Sequence, residues 1–545
     1  MEDFYSTPKT RPAADQAKKK NRYPHFPYDL MLAVKEKEEL RIPKQWNIQP
    51  RSGANGKLDF DLLRRVSASK TDIGQTQRLL SSNEDQIRHL LSRASFDAAV
   101  PEIQFLAGAT TEAIVEALLA DGELPAPPGE WVTEPFDYYA FLELSEQEQL
   151  DFLILNYERI NTLRGWWMEL MMGSAINLRE KMTFFWHGHF TTDIESAFLA
   201  QFLYIQNDTL RRHALGNFRD FLKAIYKDPA MLLYLDGFNN VVGAPNENFA
   251  RELLELFTMG VGNYTEDDIK AAARAFTGWQ IDPYNLTSFF NPLLHDYRSK
   301  TFMGQTGNFE GDDIIDIILE QPQTATFICT KFYKLFVNRE LDEPFINELA
   351  EIFQSNNYEI KPVLQRLFTS EQFYSNNSVA ALIKSPIELV ISNARMLSVQ
   401  SANVYFLLFA SALIDQDLMM PPNVAGWPGQ RSWISSTTFV LRNTISEIYI
   451  NPELVRDQDT GEAPINFDPL AFAYSFGLAG ARELAEAMLK HVHRMVIDEK
   501  TFDFLLTVLV GTADPEDWSL AYPGADQLVA NFLIQALRLP EFQLT

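Results

Sequence analysis

The chain has 545 residues, long for one ordinary hydrophobic core, so about two to four domains or subdomains are expected. Lys+Arg of 47 against Asp+Glu of 73 leaves a net charge of −26, which argues against bulk binding of nucleic acid. Only one cysteine is present, so no intrachain disulfide can form, and a hydrophobic fraction of 46% is ample for a globular core.

Residues 1–56, rich in Pro, Lys, Asn and Gly, read as an extended N-terminal arm with one short helical patch near 30–40. The basic cluster Lys18, Lys19, Lys20 and Arg22 in this arm reads as a solvated segment rather than a binding arm. The opening Met-Glu-Asp-Phe-Tyr-Ser has no basic end followed by an apolar run, so no secretory signal and a cytoplasmic location are expected. No stretch approaches ~18 uncharged apolar residues, so no membrane span is expected.

From Asp59 onward the apolar spacing is helical, as in Ile87, Leu90–Leu91, then Ile103, Leu106, Ile114 and Leu118. Alternating β-branched runs and hairpin dipeptides are scarce. The fold class predicted is therefore all-α, with a helical core over 57–450, long irregular loops, a linker over 451–468 and a small helical C-terminal subdomain over 469–545.

Residues 121–131 form a Pro/Gly-rich connector. Ser145 with Glu148 three residues on predicts a capped helix start. That helix is expected to run towards Leu163, with another over 165–185. Then comes Met182-Thr-Phe-Phe-Trp-His-Gly-His-Phe-Thr191, and Thr192 with Glu195 repeats the capping pattern. His187 and His189 would thus lie in a tight helix–helix junction. Residues two apart on a helix point ~200° apart, so they can share a ligand only if the chain leaves the helix at Gly188. In such a turn they could hold a metal. Otherwise each ring caps the helix end, where carbonyls and the dipole favour an imidazole.

Over 246–259 the apolar stripe is Phe249, Ala250, Leu253, Leu256 and Phe257, with Glu252 and Glu255 on a neighbouring face. One reading is a surface ladder, Glu247–Arg251–Glu255. The other is a pair of inward carboxylates of the kind that bind metals in helical bundles. Residues 282–312 are the longest irregular stretch, and long loops are often functional. His295-Asp296 in that loop is a candidate functional pair. Cys329, among helix-core residues, reads as a buried inert thiol. Asn423, Trp427 and Trp433 lie in a Pro/Gly/Trp loop. They could line a sugar pocket, but packing is the simpler role. His213 could be a core histidine or part of an anion pocket with Arg211–Arg212. His491 and His493 read as surface residues. There is no Gly-x-Ser-x-Gly elbow, P-loop, dinucleotide fingerprint or His-Glu-x-x-His.

Several blocks resemble the domain of unknown function 1800 family of bacterial proteins. They include His89-Leu-Leu-Ser-Arg-Ala-Ser-Phe96, Lys181-Met-Thr-Phe-Phe-Trp-His-Gly-His-Phe190 and Pro245-Asn-Glu-Asn-Phe-Ala-Arg-Glu-Leu-Leu-Glu-Leu-Phe257. Ala273-Arg-Ala-Phe-Thr-Gly-Trp279, His295-Asp296, Lys384-Ser-Pro-Ile-Glu-Leu389 and Pro421-Pro-Asn-Val-Ala-Gly-Trp-Pro428 belong to the same set. The resemblance covers roughly 85–450. It implies a helical protein with no established activity, from a group whose members are often exported. It also implies a partner from the domain of unknown function 1501 family, which is phosphatase/sulfatase-like. Asp97 stands where the family usually has Gly, so a different turn is expected there.

Two functions follow as expectations. The first is a metal-dependent hydrolase or oxidase holding a divalent ion. In it, His187, His189 and Glu255 are metal ligands, and Glu252, His295 and Asp296 are catalytic. The second is a non-catalytic helical scaffold or accessory subunit of the phosphatase/sulfatase-like partner.

Overall fold

A computed structural model of the chain describes residue 80, residues 82–457 and residues 460–545. The expected N-terminal arm, its basic cluster and the patch near 30–40 lie outside the described residues.

The fold is all-α, as the periodicity predicts. Among the described residues, β structure is confined to three two-stranded antiparallel ribbons, Trp279–Asp282 with Thr287–Phe290, Lys300–Phe302 with Gln305–Gly307, and Ser401–Ala402 with Ile465–Asn466. Two of these ribbons lie in or beside the stretch expected to be irregular. The second turns on Met303 and Gly304, both at positive φ (49° and 78°), the backbone of a tight two-residue hairpin. Met-Gly is not the usual Asn-Gly signature, so the turn does not announce itself in sequence. No helix among the described residues is long and apolar enough to cross a membrane.

Helix boundaries follow capping chemistry more closely than glycine positions. Ser145 caps Glu146–Met172 with Glu148 closing the capping box. That helix runs unbroken through Gly165, where an added Cβ would meet Val404 Cγ2 at 3.1 Å. Gly165 therefore lets the Val404–Leu413 helix pack close and does not end its own. The break falls at Gly173 instead, before Leu178–His189. After the junction, Asp193 rather than Thr192 caps the short helix Ile194–Ala197.

Two large apolar clusters make up the interior. One joins Glu146–Met172, Ala200–His213, Pro386–Met396, Val404–Leu413 and Ser436–Ile450 to the C-terminal helices. The other joins Asn83–Ala94, Thr111–Leu119, Phe218–Ile225, Glu266–Ala275, Pro322–Phe336 and Glu343–Ser355. Residues 469–545, expected as a subdomain apart, contribute Phe472, Leu484, Leu505, Phe532 and Phe542 to the first cluster. The expected linker also carries Ile465–Asn466, paired to Ser401–Ala402. These helices pack on one another and share the first cluster with the rest of the chain.

The Leu178–His189 helix runs between the clusters. Met182, Trp186 and Phe190 enter the second, while Phe184 packs against the first.

Candidate functional site

The helix does not break at Gly188. It continues to His189, with Phe190 as its C-cap. This corrects the expected turn. With the ~200° separation intact, the two imidazoles serve opposite cores. His187 faces the first cluster, edge-on to Trp167 with ring centroids 5.3 Å apart, and lies 5.7 Å from Trp427. His189 faces the second, and its Nε2 lies 3.0 Å from the Phe257 carbonyl.

The hydrogen bonds of His189 fix its tautomer. Lys331 Nζ donates to Nδ1 at 2.8 Å, so Nε2 carries the proton and donates to Phe257. Lys331 Nζ also donates to the Leu256 carbonyl at 3.0 Å. The reason lies in the acidic helix. Its α-helical part is only Asn248–Glu252, and Leu253–Thr258 is a π-turn. Both Met259 and Gly260 N–H groups then donate to the Leu254 carbonyl. The Leu256 and Phe257 carbonyls at the end of this turn are taken by the half-buried Lys331 and the buried His189, donors that a helix terminus needs. Burial and the Lys331 charge hold His189 well below its ordinary pKa, and burial pushes Lys331 down to about 7.

The π-turn also undoes the shared face of the acidic pair, because its wider i→i+5 ring shifts the phase. Glu255 accepts from Tyr264 Oη at 2.9 Å. Glu252 is half-buried. Arg251 reaches Glu247 at 3.1 Å and Glu266 at 2.8 Å, so the surface ladder forms with Glu266 in place of Glu255.

His295 and Asp296 are buried in the loop, but engaged separately. His295 Nδ1 donates to the Thr277 carbonyl at 2.8 Å, and its ring lies edge-on to Tyr297 at 4.7 Å. Asp296 binds Arg298 Nη2 at 2.6 Å and Arg274 Nε at 2.8 Å. The Arg298 and Arg274 guanidiniums hold its carboxyl far below the carboxylate range, leaving no basicity for proton abstraction near neutral pH.

The six candidate residues therefore occupy separate environments. No group of three or more His, Cys, Asp or Glu side chains positioned to hold a metal ion forms among the described residues. His491 and His493, read as surface residues, are buried. His491 Nε2 meets the Met396 carbonyl at 2.9 Å. His213 stacks on Phe221. The anion partner of Arg211 is internal, since Glu180 accepts from its Nε and Nη2, and Trp167 Nε1 donates to the same carboxylate at 3.0 Å. Cys329 is fully buried and burial pushes its thiol up, as an inert residue requires.

The Pro421–Pro428 block meets the junction directly. Thr191 Oγ1 donates to the Val424 carbonyl at 2.7 Å, and Ile194 N–H to Met419. Gly426 has φ +77°, and a Cβ there would run into the Gly188 carbonyl. Beneath Trp427, His187, Thr192, Gln206, Asn207 and Met419 line a narrow cleft. In it His187 Nε2, Gln206 Nε2 and Asn207 Nδ2 have no hydrogen-bond partner. Burial lowers His187 to about 4, so its ring is neutral at physiological pH.

A second buried polar centre was not foreseen. Lys181 pairs with Glu388, Asp97 with Arg494, and Lys384 lies beside them. Asp97 takes φ +74°, a conformation that suits glycine, and its ion pair explains why a carboxylate stands there. The partners in these pairs lie hundreds of residues apart, so the sequence carries no sign of the pairing.

The fold defines a class first, an all-helical protein whose histidine-bearing helix is clasped between two cores. The chain belongs to the family described as Protein of unknown function (DUF1800), whose model matches residues 89–544. The match reaches well beyond the 85–450 expected, into the C-terminal helices that share the core. No curated protein and no solved structure matches.

Proposed function

We propose that this chain is a non-catalytic helical scaffold or accessory protein that works with a phosphatase/sulfatase-like partner. One observation carries the reading. Several of the groups that chemistry would need are spent on the fold itself. His189 and Lys331 cap a π-turn, His295 holds the Thr277 carbonyl, and Asp296 is clamped by two arginines. Such groups fix a surface in place. The partner class follows from the family resemblance. Exposed apolar side chains over 139–155, Tyr139 (79% exposed), Leu142, Leu144 and Leu155, support a docking role.

Co-expression with a partner of the domain of unknown function 1501 family, followed by size-exclusion chromatography, tests this. The two proteins should co-elute, and Tyr139→Glu with Leu142→Glu should separate them. Separate elution of the unmodified chains would sink the proposal. So would a stoichiometric transition metal that is lost in His187→Ala and His189→Ala, which would restore the metal-enzyme reading.

A further inference from the structure

The negative charge of the chain is unevenly spread. Residues 94–158 hold fourteen Asp and Glu and no Lys, Arg or His, so this stretch carries −14 of the net −26. Four of these carboxylates are paired from elsewhere: Asp97 with Arg494, Glu102 with Arg395, Asp121 with Lys361 and Glu134 with Arg159. Among the described residues, no ion pair reaches Asp137, Glu143, Glu146, Glu148, Asp151 or Glu158, and all six are exposed. Carboxylates alone make a solvated surface. Here exposed apolar side chains are set among them.

The short helix Tyr138–Glu143 is fixed to the start of Glu146–Met172. Gln149 Nε2 donates to the Phe141 and Leu144 carbonyls, each at 3.2 Å, and the Phe141 ring meets Phe152 with centroids 5.2 Å apart. With Phe141 turned inward, Tyr139, Leu142 and Glu143 are left exposed. On the long helix Glu148, Asp151, Leu155 and Glu158 recur at steps of three and four residues, which places them on one face. Leu155 is exposed on that face, one turn after Asp151 and one turn before Glu158. Apolar anchors alternate with carboxylates that have no counter-charge. A second copy of the same face does not suit it, because like charges would be set against each other.

We propose that this face docks a basic amphipathic segment of the partner, one that sets apolar side chains on Tyr139, Leu142 and Leu155 and Lys or Arg beside Glu143, Asp151 and Glu158. The inference rests on the scaffold reading and names the chemistry that the partner presents. Apolar burial supplies the hold, while the carboxylates steer a cationic segment in and reject an acidic one. Being exposed, these charges are screened by salt.

Fluorescence anisotropy of the full chain with a labelled leucine–lysine peptide, patterned as an amphipathic helix, tests the surface. A leucine–glutamate peptide of the same pattern is the control. The lysine peptide should bind, more weakly as salt rises, and the glutamate peptide should not. Glu143→Lys, Asp151→Lys and Glu158→Lys together should weaken binding about tenfold, as three modest surface pairs would. Tyr139→Ser with Leu155→Ser should weaken it too, and circular dichroism should match the unmodified chain in both variants. Absence of binding to the unmodified chain overturns the proposal. So does binding that survives both variants, which is attraction of a polycation to the acidic protein as a whole. If binding appears only after Lys18, Lys19, Lys20 and Arg22 are changed to Gln, the chain's own basic cluster covers the face and an outside partner is overturned. Peptide binding without co-elution of the phosphatase/sulfatase-like partner supports the surface and sinks only that partner class. Co-elution that persists through the charge reversal, with no peptide bound, sinks the surface and leaves the scaffold reading standing.

Discussion

Gly188→Ala separates the two geometries of the histidine motif by sign. In the structure Gly188 lies inside Leu178–His189, and a Cβ added there meets no atom within 4 Å. Replacing a helical glycine by alanine without a clash stabilises by about 0.5–1 kcal/mol, because alanine has less chain entropy to lose. Gly426, which abuts the Gly188 carbonyl, is the contrasting site. Its φ of +77° costs an alanine about 1–2 kcal/mol, and its Cβ would meet backbone oxygen. Gly426→Ala should therefore destabilise by about 3 kcal/mol or more. Urea denaturation followed by circular dichroism reads both. For a chain this long, the Gly188→Ala gain corresponds to only about 1 °C in Tm, so the denaturant midpoint is the better measure. If Gly188→Ala destabilises as Gly426→Ala does, the chain leaves the helix at Gly188. The two imidazoles could then converge, and the separation argued above is refuted.

Three further predictions rest on buried charge. Asp97→Gly relieves the positive φ but strips Arg494 of its carboxylate; breaking a buried pair costs about 3–5 kcal/mol, so the variant should be the less stable despite restoring the family's residue. Asp228 caps Met231 through one oxygen, its other oxygen is unpartnered, and burial raises it from 3.8 to about 7. Its raised pKa means stability is lost as pH climbs from 3.8 through 7. Asp228→Asn should therefore be the more stable protein at pH 8 and lose that advantage at pH 5, a crossover that thermal melts at the two pH values will show or fail to show. Burial holds His187 and His491 at about 4 and His493 at about 3, against 6.5 unfolded. The unfolded chain takes up their protons first, so stability should fall as pH drops from 6.5 towards 4, by about 1.4 kcal/mol per unit for each ring. A flat stability–pH profile in that window would contradict their burial.

The all-α class and the Ser145 cap were legible because they depend on local chemistry. Helix interruptions were not. Gly165 and Gly188 both looked like breaks, yet one admits a neighbouring helix and the other is simply carried within its own. The π-turn at Leu253–Thr258 was invisible in periodicity, because a six-residue change of phase hides among apolar residues. Long-range partners set the rest. Lys331 meets His189 across 142 positions and Lys181 meets Glu388 across 207, distances over which one sequence carries no pairing signal.

Nitrogen–proton correlation spectra of the full chain, labelled with ¹⁵N at histidine, examine the two rings directly. His189 should be the Nε2-protonated tautomer with Nδ1 accepting from Lys331, and one equivalent of zinc should leave His187 and His189 unmoved. Joint shifts of both rings at one equivalent would show a shared metal site and contradict the account.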